Sequence, residues 1–201
     1  MNARIVLPLL LALGLLGAIN WALNERPVVH ANGVLVDAEP EQSAPHDRVS
    51  FKHGAFTLEP LADYTIRARL LSRENYRFDA GAALSPVDFA LGWRGMSDSA
   101  VLEQLDISQS VRFYTYSWRD QPPLPPRDMA RDSANVHLIP ADARIARALD
   151  RVRVGALVEL KGQLVRAVRA DGWTWVSSLT REDTGGGACE LMFVREVDYR
   201  Q

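Results

Sequence analysis

The run DSANVHLIPAD, Asp132–Asp142, sets Ser133, Asn135 and His137 at alternate positions and holds the only histidine beyond residue 53. Histidine changes charge near neutral pH, so it can serve as general acid, general base or ligand. Ser133 and Asn135 also have a structural use, because short polar side chains bond nearby backbone. A second polar stretch, SSLTREDTGGGACE, Ser177–Glu190, packs Ser177, Ser178, Arg181, Glu182, Asp183 and Thr184 before three glycines. Glycines let a backbone approach a ligand or form an anion-binding concavity. Together the two stretches supply the parts of a hydrolase. His137 would be the base, Ser133 or one of Ser177 and Ser178 the nucleophile, and Arg181 the stabiliser of developing negative charge. A third stretch, LGWRGMSD, offers Trp93 as a stacking surface between glycines, or simply a strand end and a helix cap.

The candidate site is therefore Trp93, Ser133, Asn135, His137, Ser178, Arg181, Asp183 and Glu190. Their convergence in one cleft would favour function, and their dispersal would leave packing and turns. No metal site is expected: His30, His46 and His53 lie far upstream and are not spaced with His137 as ligands usually are. No cofactor is expected either, since the glycine stretch lacks the lysine and following helix of a phosphate-binding loop. The single cysteine, Cys189, excludes an intrachain disulfide and reads as a small buried apolar residue alternating with Leu191 and Phe193.

These residues need elements to position them. Tyr64, Ile66, Ala68 and Leu70 alternate with polar residues, as do Val87, Phe89, Leu91 and Trp93, so both stretches predict strands. Ser97 or Asp98 caps a short helix through Val101, Leu102 and Leu105. QSVRFYTYSW reads as one more strand. The prolines of RDQPPLPPRDMARDSANVHLIP predict a long loop ending at Pro140. Ile145, Leu149 and Val152 predict an amphipathic helix with Arg144, Arg147 and Arg151 outward and Gly155 as its cap. In the tail, Val158, Leu160, Leu164 and Val168 share a strand face. Asp171-Gly172 turns into a strand carrying Trp173 and Trp175, which read as packing or a ligand platform. A last strand points Cys189, Leu191 and Phe193 inward. Gly162 marks a bend, and GALVELKG resembles the coiled strand of OB-type barrels. The fold class is α+β: a small curled antiparallel sheet or OB-like barrel with one or two helices.

The chain has 201 residues, 47% hydrophobic and 24% charged, with a net charge of −2. It lacks the basic excess of a nucleic-acid binder, so no such partner is expected. Residues 1–23 hold an uncharged apolar run, Ile5–Leu23, long enough to span a bilayer. Arg4 before it puts the N-terminus in the cytoplasm, and the poor cleavage site around Ala18–Trp21 favours an uncleaved signal-anchor. Residues 24–55 read as a polar stalk, with a small hairpin at Asn32-Gly33, and 56–201 as the globular domain.

LGWRGMSD, SANVHLIPA and SSLTREDTGGGACE, in that order, resemble a family of membrane-anchored bacterial proteins. The resemblance covers about residues 56–197. It implies a bacterial host, hence a periplasmic domain on the inner membrane, and carries no activity, cofactor or catalytic set. The expectation is a membrane-tethered periplasmic binding or scaffold module with a protein partner in the cell envelope. The competing expectation is a cell-envelope hydrolase using His137 and a nearby serine.

Overall fold

Strands β1 (Glu41–Ser43), β2 (Phe51–His53) and β3 (Phe56–Asn75) open the chain's main sheet, which continues with β4 (Val87–Gly92). A 3-10 turn (Arg94–Ser97), helix α1 (Ser99–Leu102), the hairpin β5 (Asp106–Ser110) and β6 (Phe113–Ser117), and helix α2 (Pro126–Arg131) follow. Then come β7 (Ser133–Pro140), α3 (Ala143–Arg151), β8 (Leu157–Arg169), β9 (Thr174–Val176) and β10 (Glu190–Arg200). The computed structural model describes residues 6, 12–17, 19, 26–180 and 188–201.

β3 is what curls the sheet. It pairs with β8 along Phe56–Arg69 and with β4 along Arg69–Asn75, with register shifts at Pro60/Ala62 and Leu70/Ser72. Such irregularities bend a strand and increase its twist, and Pro60 has no amide proton to lose there. The pairings run β3–β4–β7–β10–β8 and return to β3. Of these, only β7–β10 is parallel. Gly162 sits where β8 presses on β10: a Cβ there would lie 1.9 Å from the Phe193 carbonyl oxygen. The bend expected at Gly162 is thus a close backbone approach that only glycine permits.

Apolar alternation fills the space inside these strands. Tyr64, Ile66, Ala68, Leu70, Val87, Phe89, Leu91 and Trp93 form one core with Leu160, Leu164, Met192 and Val194. α3 closes it with Ile145 and Leu149, and the Asp142 carboxylate caps the helix by accepting from the Ile145 amide at 2.8 Å. Asp98 caps α1 in the same way through Ala100. Two satellite clusters lie on the outer face. One joins Ile139, Leu191 and Phe193 to Trp173 and Trp175; the other joins Ala90, Met96 and Met129 to Ile107, Tyr114 and Tyr116 of the hairpin.

The structure corrects several expectations. Leu191 and Phe193 are buried but face outward from the ring; Met192 and Val194 are the inward pair. QSVRFYTYSW is not one strand. It contains a tight turn at Val111-Arg112, both with positive φ (51° and 69°), so Asp106–Ser117 folds as a hairpin. Nothing in that sequence carries the usual Asn-Gly turn signal. The expected long loop is shorter. It yields α2, with Pro126 at its first turn where a missing amide costs nothing, and β7, which is nearly all buried because β4 and β10 flank it. Ala134, Val136 and Leu138 of β7 face the core while Ser133, Asn135 and His137 face the hairpin and α2, a polar face that is nonetheless buried.

Gly155 is not the helix cap, since α3 ends at Arg151 and Val152 caps it. Its φ of 88° instead admits the N-terminal segment: a Cβ there would lie 2.1 Å from the Val28 carbonyl oxygen. Residues 24–55 are not a free stalk from Val28 onward. The Val28 amide donates to Val154 and His30 contacts the Gly155 carbonyl. Asn32-Gly33 makes no hairpin; Gly33 donates to Asp98, and Leu35 and Val36 donate to Ser97. β1 and β2 then pair with β3. Polar composition suggested a spacer, but these backbone bonds need no apolar side chains. Among the described residues, no helix is long and apolar enough to cross a membrane, and most of Ile5–Leu23 lies outside them.

Candidate functional site

His137 faces out of the ring from β7, directly across from Asp88 on β4. Both are buried: the Asp88 side chain has no exposed area and that of His137 only 4%. His137 Nδ1 lies 2.9 Å from Asp88 Oδ2, an ion-pair distance without the alignment of a hydrogen bond. The second Asp88 oxygen accepts from Arg112 Nη1 at 2.8 Å. A carboxylate fully removed from water needs such partners, because an unpaired buried charge is very costly.

Arg112 reaches this place from the turn of the β5–β6 hairpin. Its guanidinium also donates from Nε and Nη2 to Asp79, at 3.1 and 2.9 Å. Its Cζ lies 3.6 Å from the Tyr76 ring centroid, and its backbone amide donates to the Tyr76 hydroxyl. The planar fork of arginine suits such divided bonding. Burial works against Asp79 ionisation, yet the Arg112 bond and the Gly81 amide hold its carboxyl below the usual value. Burial, reinforced by the Asp88 charge, pushes the Tyr76 phenol up.

Trp175 of β9 completes the cluster. Its ring centroid is 4.6 Å from that of His137, and the Arg112 Cζ is 5.4 Å from it. Gly81 makes room, since a Cβ there would fall 2.6 Å from the indole. The turn is fixed from below as well. Asn135 Nδ2 donates to the Arg112 carbonyl at 3.0 Å, and Asn135 Oδ1 accepts from Gln109 at 2.7 Å. Five elements therefore meet at Arg112. Its left-handed backbone, and that of the β-branched Val111, is a strained conformation that surrounding contacts must hold.

The sequence-derived candidates divide accordingly. His137 and Asn135 join this cluster. Cys189 lies at its edge, with Sγ 3.8 Å from Asn135 Nδ2. Ser133 does not act as a nucleophile here: its hydroxyl donates to the Met129 carbonyl at the end of α2. Ser177 and Ser178 donate to the carbonyls of Ser178 and Thr180. Among the described residues, no hydroxyl or thiol hydrogen-bonds His137. Trp93 is not a stacking surface, because it is wholly buried in the ring's core. Glu190 is buried at the start of β10. Arg181 and Asp183 lie outside the described residues. Among the described residues, no group of three or more histidine, cysteine or acidic side chains has the arrangement of a metal site.

Sequence reading missed Asp79, Asp88, Arg112 and Tyr76. Asp88 held the polar-face position of a predicted strand, where exposure is the ordinary outcome, and the hairpin that buries it was not visible. Trp175 was noticed, but its packing partners were not. No family model, curated protein or solved structure matches the chain.

Proposed function

We propose that the protein is a membrane-tethered periplasmic binding or scaffold module built on an OB-type barrel, serving a complex of the cell envelope. The ring order, with one parallel pair and a helix before the fourth ring strand, supports the OB-type assignment. The apolar run Ile5–Leu23 supports a single-pass anchor in the inner membrane, with Arg4 on the cytoplasmic side.

The observation that carries the binding role is the surface around Arg112. Phe78 is 98% exposed, Val111 80% and Phe113 47%. Arg112 ties their backbones together, since it sits between Val111 and Phe113 and bonds Asp79, the neighbour of Phe78. Exposed large apolar groups held in one rigid place mark interaction sites. In OB-type barrels the outer face of the second and third strands takes oligonucleotides and oligosaccharides. Here that face, β4 and β7, lies under the hairpin and α2, and the net charge is −2. Both points favour a protein partner over nucleic acid.

Chemical crosslinking in intact envelopes tests this. Replacing Phe78 and Phe113 with serine in the full chain should remove the partner species while circular dichroism stays unchanged. An unaltered crosslinking pattern would overturn the placement of the surface.

A further inference from the structure

Where the chain leaves the domain fixes which end faces the bilayer. Leu23 ends the apolar run, and Val28 is already bonded to Val154, just past the end of α3. Four residues lie between them, and the five Cα-to-Cα steps span at most about 18 Å even when fully extended. The tether is short, so the end of the ring closed by α3 must sit next to the lipid headgroups.

That end is basic. The outward face of α3 carries Arg144, Arg147 and Arg151, all exposed, while Ile145 and Leu149 point into the core. None of the three arginines makes a salt bridge among the described residues. Arg153 and Arg26 flank them, and Arg26 lies within the tether itself. The acids here are Asp142, which caps the helix, Asp150, which pairs with Arg73, and Glu25, beside Arg26 in the tether. Five arginines against three acids is still a local excess in a chain of net charge −2.

We infer that this face docks on anionic phospholipid headgroups, so that the anchor and the α3 arginines hold the barrel in one orientation on the membrane. Arginine clusters beside a membrane anchor are drawn to anionic lipid, and that attraction fades beyond a screening length of about 8 Å at physiological salt. The short tether keeps α3 near that range. With α3 down, the loop and hairpin elements that carry Phe78 and Val111 keep one fixed setting for a partner, instead of sweeping all angles. The inference rests on the anchored-module reading.

The test uses the full chain in nanodiscs, one set of phosphatidylcholine and one rich in phosphatidylglycerol, each with a spin label on the lipid headgroup. Carbonate extraction of membranes holding the same chain is run first. In the anionic discs, paramagnetic broadening of the Ala143–Arg151 amides should exceed that in neutral discs by about threefold and collapse at high salt. The variant Arg144→Gln/Arg147→Gln/Arg151→Gln keeps helix propensity and should broaden equally in both. Equal broadening of the unaltered chain in both lipids, with the chain retained through carbonate, overturns this inference and leaves the anchor standing. Release by carbonate refutes the anchor and the inference with it.

Discussion

Replacing Arg112 with alanine should be the most damaging single change at the surface of this protein. Asp88 is wholly buried between the Arg112 guanidinium at 2.8 Å and the His137 ring at 2.9 Å. Removing one partner of a buried pair typically costs about 3–5 kcal/mol, because the other charge is left without compensation. His137 remains beside Asp88, which argues for the lower end, about 3 kcal/mol. The Asp79 bonds add little, since that carboxylate is 38% exposed and solvent screens it. A loss of about 3 kcal/mol lowers the melting temperature by roughly 6–12 °C for a domain of this size. Thermal unfolding of the full chain in detergent, followed by tryptophan emission, measures it. Asp88→Asn removes the stranded charge, so the double variant Arg112→Ala/Asp88→Asn should be more stable than Arg112→Ala alone. Arg112→Lys should fall between, because an ammonium cannot fork onto both carboxylates. A melting point for Arg112→Ala within about 2 °C of the parent, below about 1 kcal/mol, would refute the lock, as would additive effects in the double-mutant cycle.

Three further predictions concern the backbone at the lock and elsewhere in the fold. Val111→Asn should raise stability by about 1 kcal/mol, because asparagine tolerates the left-handed conformation that valine resists; a lower melting temperature would contradict it. Gly162→Ala should prevent β8 and β10 from pairing, given the 1.9 Å approach to Phe193, and circular dichroism with near-native strand content would count against that reading. Asp142 gives a pH signature: the Ile145 amide bond holds its carboxyl below the usual range. Its stabilisation of α3 is therefore present above the unfolded carboxylate pKa and is lost as pH falls through the lower folded value. The Ile145 amide shift in an NMR titration should follow that step, and a midpoint at or above the ordinary aspartate value would be the contrary result.

The parts of the fold that alternation encodes were legible in the sequence. Tyr64–Leu70 and Val87–Trp93 line the core as their spacing required, and Asp98 caps the helix that follows it. What failed was burial imposed from outside an element. Ser133–Pro140 reads as loop because the prolines before it and Pro140 at its end outweigh its alternation, although Ala134, Val136 and Leu138 face the core and Ser133, Asn135 and His137 the outer side. Val111-Arg112 turns without a turn residue, since long-range contacts of Arg112 outweigh local preference. The same reasoning explains the site. His137 was singled out as the one titratable histidine of the domain, but its partners Asp88 and Arg112 come together only when the hairpin folds down on β4 and β7. Residues 24–55 looked like a spacer because backbone-to-side-chain bonds, such as those to Ser97 and Asp98, leave no hydropathy trace.

The central claim is that the rigid surface around Arg112 is where this module meets its partner. Site-specific photocrosslinking in living cells tests it most directly, with the crosslinker placed singly at Phe78, Val111 and, as a control, Val49, itself 71% exposed. The account predicts one shared crosslinked partner from Phe78 and Val111 and none from Val49. Crosslinks from Val49 alone, or the same species from all three positions, would contradict it.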